Sequence, residues 1–175
     1  EFGGDSEFAD YLRDLYEVDD DGDSTPEPRR DPLTGETTGL MVLGGSGNGK
    51  TALLERTVRT SNMLTKFKVG EGGNTLFLTV PPEATIKSLA EIVLEQTGYE
   101  SVSSRSRAGD LWRIVRHRFG LVGIKTVVID ECHHILRVGP GRDVPAAIQA
   151  LKHLVQGENG VALVIAGVPT LKDAI

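Results

Sequence analysis

The sequence predicts an α/β domain in which a mostly parallel sheet is covered by helices on both faces, and three observations support this. Short apolar segments alternate with amphipathic segments of helical period along most of the chain. The apolar segments are rich in Val, Ile and Leu, which is typical of strands that are buried on both faces. A glycine-rich loop separates the first of these strands from the first long helix.

The predicted strands are apolar runs at residues 39–43, 75–80, 126–129 and 161–166. Between them, apolar residues recur at helical spacing, which predicts helices at residues 50–64, 86–98, 111–119 and 148–155. Pro81 and Pro82 end the second strand, and Gly98 is a typical residue just beyond a helix. A further element begins at Leu171.

Residues 1–33 are predicted to be an acidic arm that precedes the main domain at residues 34–175. Residues 1–27 hold eleven Asp or Glu and one Arg, so the net charge of −6 belongs to the arm and the rest is mildly basic. The mildly basic main domain leaves room for a nucleic-acid partner. One amphipathic helix of about three turns is indicated by apolar side chains at helical spacing, which are Phe8, Tyr11, Leu12, Leu15 and Tyr16.

The rest of the arm is predicted to be a solvated linker, because residues 19–23 are acidic and residues 24–35 are rich in proline and polar side chains. A calcium-binding loop is the alternative. Its ligand spacing fails, since the required glycine falls at Ser24 and the final glutamate at Arg30.

Composition limits the setting of the protein. The single cysteine, Cys132, excludes an internal disulfide and predicts a reducing, cytoplasmic location. No apolar run approaches the roughly 20 residues of a membrane-spanning helix, and the acidic N-terminus is unlike a signal peptide. We therefore expect no membrane partner.

Residues 44–51 read GGSGNGKT and have the spacing G-x-x-x-x-G-K-[ST] between a strand and a helix. Glycines let backbone N–H groups close around phosphates, and the helix N-terminus adds partial positive charge. We expect Lys50 to reach the β- and γ-phosphates and the Thr51 hydroxyl to bind Mg²⁺. The predicted nucleotide-binding residues are Gly44, Gly45, Ser46, Gly47, Asn48, Gly49, Lys50, Thr51 and Ala52.

Asp130 and Glu131 follow the predicted third strand, at the edge of the sheet where open α/β proteins bind their ligands. Asp130 is expected to hold Mg²⁺, and Glu131 to polarise a water for attack on the γ-phosphate. Lys50 and Glu131 are thus the predicted catalytic residues. Because a small-molecule kinase needs no second acid here, the pair favours hydrolysis. A kinase and a nucleotide-binding interaction module without turnover remain alternatives.

Cys132, His133 and His134 come directly after the acidic pair. A zinc site is disfavoured because three neighbouring side chains do not all face one ion in regular structure. We instead expect His133 or His134 to contact Glu131 or a neighbouring subunit and to signal the nucleotide state.

The glycine-rich loop followed by a helix, and the segment VVIDECHHIL, resemble the AAA+ ATPases. The D-E-x-H-H pattern and the ending AGVPTLKDAI are similar to the TniB group, whose members are ATP-binding helpers of DNA transposition related to MuB, IstB and TnsC. The resemblance covers residues 34–175 and implies ATP and Mg²⁺ as cofactors. It also implies self-association into rings or filaments on DNA, and a transposase as a partner. By motif, residues 44–51 correspond to the phosphate loop, and Asp130 and Glu131 to the magnesium-binding and water-activating acids.

Two features depart from that group. The fourth strand of such ATPases usually ends in a polar sensor of the γ-phosphate, but residues 166–168 are apolar here and Thr170 is the first polar side chain. Thr170 is therefore a sensor candidate. The sequence also ends before the fifth strand, the arginine finger and the helical lid of the group, so we expect weak hydrolysis by this piece alone.

Arg105 and Arg107 precede the helix at residues 111–119 and are the predicted DNA contacts. Exposed cations bind the phosphate backbone without reading bases, so this binding is expected to be largely independent of DNA sequence. The alternative is an ordinary solvated surface with ion pairs.

Overall fold

The structure is a computed structural model that describes residues 5–44, 49–100, 103, 105–140 and 142–174. Along the chain, these residues form α1 (Asp5–Arg13), β1 (Tyr16–Val18), β2 (Ser24–Pro28), β3 (Gly39–Leu43), α2 (Lys50–Thr60), β4 (Thr75–Thr79), α3 (Ile86–Gln96), α4 (Ala108–Val122), β5 (Thr126–Asp130), a 3₁₀ helix (Cys132–Leu136), α5 (Val144–Leu154), β6 (Ala162–Gly167) and α6 (Leu171–Ala174). None of the helices described is long and apolar enough to cross a membrane.

The central sheet has four strands in the order β3-β6-β5-β4, and all its neighbouring strands are parallel. Every residue of β5 and β6 is buried, as expected for strands with helices on both sides. The predicted parallel α/β sheet is therefore confirmed. Because the strands are parallel, their carboxyl ends, at Leu43, Gly167, Asp130 and Thr79, lie at one edge.

Alternating side chains of the central strands belong to two separate hydrophobic core clusters, one on each face of the sheet. Val127, Ile129 and Leu163 pack with α3, α4 and α5 on one face. Val128 and Val164 pack with α1, β1 and α2 on the other. This period of two places the helices in layers on both sides of the sheet.

Helix ends follow local sequence signals. Thr85 caps α3 through a reciprocal pair of hydrogen bonds with Ser88, and Gly98 beyond its end has the left-handed φ of 84° that glycine adopts freely. Helix α2 ends at Thr60 rather than near residue 64 as predicted, since Ser61 has an extended backbone. Leu64 is still buried, as part of the segment that follows the helix.

The N-terminal segment differs from the prediction in two places. Helix α1 ends at Arg13, because Tyr16 leaves the helical pattern and begins β1. The predicted solvated linker instead contains β2, which pairs antiparallel with β1. The Asp19 carboxylate accepts the backbone N–H groups of Asp21 and Asp23, so this acidic run forms the tight turn of the hairpin.

This segment packs on the main domain through apolar side chains and one buried hydrogen bond. Phe8, Leu12 and Leu15 are in the same core cluster as α2. Tyr16 is fully buried, and its hydroxyl lies 2.6 Å from Thr126 Oγ1 at the start of β5. Burial raises the pKa of Tyr16 to about 12. The period-of-3.6 pattern correctly predicted that Phe8, Leu12, Leu15 and Tyr16 face the domain, but it was wrong for Tyr11, which is 56% exposed. It also could not reveal the change from helix to strand at Tyr16.

Candidate nucleotide-binding site

The carboxyl-terminal edge of the sheet brings the start of α2, which follows the glycine-rich loop in the sequence, beside the acidic pair. Gly44 follows β3, and its N–H donates to the carbonyl of Gly167 at the end of β6, with 3.1 Å between the atoms. This bond anchors the start of the loop on the neighbouring strand. Four predicted nucleotide-binding residues, Gly45, Ser46, Gly47 and Asn48, lie outside the described residues.

The end of the loop is described again from Gly49, the residue that precedes α2. Gly49 has a φ of 75°, which lies in the left-handed region, and a Cβ there would meet nothing within 4 Å. The backbone conformation therefore calls for glycine, although space is not limiting. Gly49 provides no side-chain cap for α2, so the N–H groups of its first turn are not satisfied from that residue. Thr51 and Ala52 lie in that turn.

Lys50 is the central cation of the site and is only 4% exposed. Its Nζ lies 3.4 Å from Glu131 Oε1 and 4.0 Å from Asp130 Oδ1. A buried ammonium requires compensating charge, and the two carboxylates supply it. The structure thus brings Lys50 together with two acids that lie about 80 positions further along the sequence.

Asp130 is fully buried and both of its carboxylate oxygens are engaged. Thr51 Oγ1 donates to Oδ2 at 2.5 Å, and the backbone N–H of Glu131 donates to Oδ1 at 2.9 Å. The Thr51 hydroxyl and the Asp130 carboxylate lie next to each other, and both are hard oxygen ligands of the kind that Mg²⁺ takes. Thr51 and Asp130 therefore fit the predicted metal site.

Glu131 has a different environment from its neighbour. Its side chain is 29% exposed, against 1% for Asp130. Its φ of 56° makes it the only non-glycine residue with positive φ in the described part of the chain. The left-handed conformation costs about 1 kcal/mol or more, and it turns the chain from β5 directly into the 3₁₀ helix. A partly exposed carboxylate beside a buried one can reach water, as the predicted role of Glu131 requires.

The two histidines lie on the 3₁₀ helix beside Glu131. His134 Nε2 is 3.7 Å from Glu131 Oε2, so the two carboxylate oxygens face different partners, Lys50 and His134. The two imidazole centroids are 4.3 Å apart. Burial is the main cause that lowers the pKa of His134 below its usual 6.5, so this ring is neutral near pH 7.

A cluster of possible metal ligands appears at the same place. One ligand atom from each of Glu131, His133 and His134 can be chosen so that all three lie within 4.8 Å of one another. The sequence argument against zinc concerned Cys132, His133 and His134, which are consecutive, whereas the cluster in the structure has Glu131 in place of Cys132. Cys132 is buried in the core, and burial raises its pKa to about 12. The argument from three consecutive side chains therefore does not apply to Glu131, His133 and His134.

The end of β6 is contacted by a histidine and not by the predicted sensor. His133 Nδ1 accepts the backbone N–H of Val168 at 3.3 Å. Thr170 is exposed, and its carbonyl accepts the N–H of Asp173 at the start of α6. Sequence reasoning treated Gly167 only as part of an apolar strand end, although a glycine at the end of an otherwise bulky strand is a signal of close packing.

Arg105 and Arg107 are exposed, and Arg107 immediately precedes α4. The arginines within α4 are engaged elsewhere. Arg113 pairs with Asp110, Arg116 donates to the carbonyl of Gln156, and Arg118 donates to that of Thr97. In the described residues, neither Arg105 nor Arg107 makes a side-chain hydrogen bond or ion pair within the fold.

A parallel sheet with a glycine-rich loop after one strand and an acidic pair after another is the P-loop fold, here in an AAA+-like form. The chain belongs to the bacterial TniB protein family, whose model matches residues 29–175.

Solved structures with the same fold include two proteins of Aeropyrum pernix. The ORC2 protein, in ADPNP–ADP complexes, has a TM-score of 0.63 and 15% identity, with 98% of this chain aligned. The ORC1 protein, in complex with DNA, has a TM-score of 0.57 and 17% identity, with 80% aligned. The chain spans 43% of the first protein and 36% of the second. A comparison with curated proteins finds no match.

Proposed function

We propose that this chain binds ATP with Mg²⁺ and hydrolyses it slowly, as the switch of an assembly that forms on DNA and assists transposition. One observation carries the nucleotide part of the proposal. Lys50, Thr51, Asp130 and Glu131 converge at the carboxyl edge of a parallel sheet, directly after a glycine-rich loop. A cation, two oxygen ligands and a partly exposed acid are the groups that phosphoryl transfer to water needs.

Binding of phosphate would redistribute the contacts of Lys50. Its ammonium is shared between Glu131 and Asp130, and the phosphates of ATP compete for the same charge. When Lys50 binds phosphate, Oε1 of Glu131 loses its cation and becomes available to a water. Mg²⁺, held by Thr51 and Asp130, would neutralise phosphate charge as part of the same bound complex.

Glu131 would act as the base for the attacking water. Its carboxylate is partly exposed, with one oxygen 3.4 Å from Lys50 Nζ and the other 3.7 Å from His134 Nε2. General-base assistance by one positioned residue contributes typically 10²–10⁴-fold to a rate. Glu131 is therefore the residue whose removal should separate binding from turnover.

The DNA and transposition parts of the proposal are supported by membership of the TniB family and by charge. The net negative charge of the chain is concentrated in residues 1–27, and Arg105 and Arg107 are exposed on the main domain. We extend the proposal to self-association in the ATP-bound state, to recruitment of a transposase, and to a cytoplasmic location.

The experiment that tests this proposal measures ATP turnover with and without DNA for the wild type and for Glu131→Gln. We expect DNA to stimulate turnover, and Glu131→Gln to lower it by at least about 100-fold with ATP binding retained. Phosphate transfer only when a small-molecule acceptor is present would support a kinase instead. Tight ATP binding without turnover in the wild type would support a non-hydrolysing interaction module.

A further inference from the structure

The junction between Gly167 and Val168 at the end of β6 links the two halves of the candidate site. The Gly167 carbonyl accepts the N–H of Gly44, which begins the glycine-rich loop. One residue later, the Val168 N–H donates to Nδ1 of His133 on the 3₁₀ helix. The start of the glycine-rich loop and the 3₁₀ helix are therefore both hydrogen-bonded to the same two backbone residues, Gly167 and Val168.

The imidazole of His133 occupies the space that a side chain at position 167 would take. A Cβ built on Gly167 would lie 2.9 Å from His133 Nδ1, which is closer than real Cβ contacts allow, and at a tight 3.1 Å from Leu171 Cδ2. The φ of Gly167 is not in the left-handed region, so the backbone conformation does not call for glycine. Space for the histidine ring is the physical reason for glycine here.

The hydrogen bond from the Val168 N–H determines which tautomer the His133 ring adopts. A neutral imidazole that accepts a hydrogen bond at Nδ1 carries its proton on Nε2, which makes Nε2 a donor. His133 is partly exposed and not sealed in the core. A ligand nitrogen of this ring is within 4.8 Å of a carboxylate oxygen of Glu131, the acid that Lys50 contacts at 3.4 Å.

We propose that His133 supplies the polar group at the end of β6 that distinguishes ATP from ADP, by donating its Nε2–H to the terminal phosphate. This inference rests on the proposed function, because it concerns the same nucleotide site. The sequence analysis gave contact with the γ-phosphate to Thr170, and expected His133 or His134 to signal the nucleotide state through Glu131 or a neighbouring subunit. The other nitrogen of His133, Nδ1, accepts the N–H of Val168, and the neighbouring Gly167 carbonyl accepts the N–H of Gly44. A histidine that contacts the terminal phosphate is therefore linked through Val168 and Gly167 to the start of the glycine-rich loop.

The test measures the affinities of ADP and of the non-hydrolysable triphosphate ADPNP, both with Mg²⁺, on the chain of 175 residues. We expect His133→Ala to weaken ADPNP binding about tenfold and to leave ADP affinity within about twofold, since one hydrogen bond to a charged group is lost. His133→Gln, whose amide keeps a donor, should retain most of the discrimination. His117→Ala, which changes an exposed histidine on α4, is the matched control and should change neither affinity.

Gly167→Ala provides a second route that leaves the histidine in the sequence. The added methyl group displaces the ring, so this variant should lose ADPNP affinity selectively as well. Equal loss of both affinities in His133→Ala would mean that the ring only supports the fold, and would overturn the proposal. Equal affinities of the wild type for ADPNP and ADP would also overturn it. A wild type that binds neither nucleotide would instead defeat the proposed function, so the two failures are distinguishable.

Discussion

At the residue scale, the site depends on how two adjacent acids come to have different surroundings. Asp130 is the last residue of a fully buried strand, and Thr51 and a backbone N–H bind it from two sides. Glu131 leaves the strand in a left-handed conformation and reaches the surface. One change of backbone direction therefore separates the position that we propose binds the metal from the position that we propose binds the attacking water.

His134 gives this region a measurable pH dependence. Its pKa is lowered in the folded protein, mainly by burial, so the unfolded chain binds more protons as the pH falls below about 6.5. The contribution of His134 to stability is thus fully present above pH 6.5 and is lost as the pH falls toward its folded pKa. We expect the free energy of unfolding of the wild type to fall more between pH 7 and pH 5.5 than that of His134→Asn.

The measurement is urea denaturation at a series of pH values, with His117→Asn as the matched exposed control. His117→Asn should keep the wild-type pH profile. A profile that is identical for the wild type and His134→Asn would contradict the lowered pKa.

At the scale of elements, β1 is attached to the main sheet by the hydrogen bond between Tyr16 and Thr126. Both residues are fully buried, and the bond is 2.6 Å long. Tyr16→Phe removes one partner and leaves the Thr126 hydroxyl without it, which should cost about 1–3 kcal/mol. The thermal midpoint of unfolding should fall by several degrees.

Tyr11→Phe is the matched control, because Tyr11 is 56% exposed on α1. Its thermal midpoint should stay within about one degree of the wild type. If Tyr16→Phe were equally silent, the N-terminal segment would not be held through this hydrogen bond.

Individual elements show which parts of the structure could be predicted from the sequence. The bounds of β3, and those of β5 to within one residue, follow from apolar runs, which are a local signal. The contacts of Lys50 with the two acids were not predicted from the sequence. Helix α1 ends at Arg13, and Tyr16 lies in β1, where its hydroxyl meets Thr126, which is 110 residues away in the sequence. Likewise, the role of Gly167 depends on the ring of His133, 34 residues earlier in the chain. Neither of these long-range contacts has a periodic signal in the sequence.

At the scale of the whole molecule, negative charge is concentrated in residues 1–27, whereas Arg105 and Arg107 are exposed cations of the main domain. We expect Arg105→Ala combined with Arg107→Ala to weaken DNA binding and to reduce the slope of log affinity against log salt by about 1.8, since each phosphate contact contributes about 0.9. The slope is measured by fluorescence anisotropy on duplexes of unrelated sequence, which should bind alike.

Arg13→Ala is the matched control, because Arg13 is an exposed arginine of the acidic segment that pairs with Asp10. It should leave DNA affinity and the salt slope close to the wild-type values. DNA affinity that is indifferent to salt and to the paired substitution would exclude this surface.

The central claim is that residues from the start of α2 and the end of β5 form one nucleotide site, and the affinity for a fluorescent ATP analogue with Mg²⁺ tests it most directly. We expect Lys50→Ala to weaken binding at least about tenfold, because the charge that holds the phosphates is lost. Lys66→Ala, which changes an exposed lysine paired with Glu55, should bind like the wild type. Wild-type affinity in Lys50→Ala, in a protein that still unfolds cooperatively, would contradict the claim.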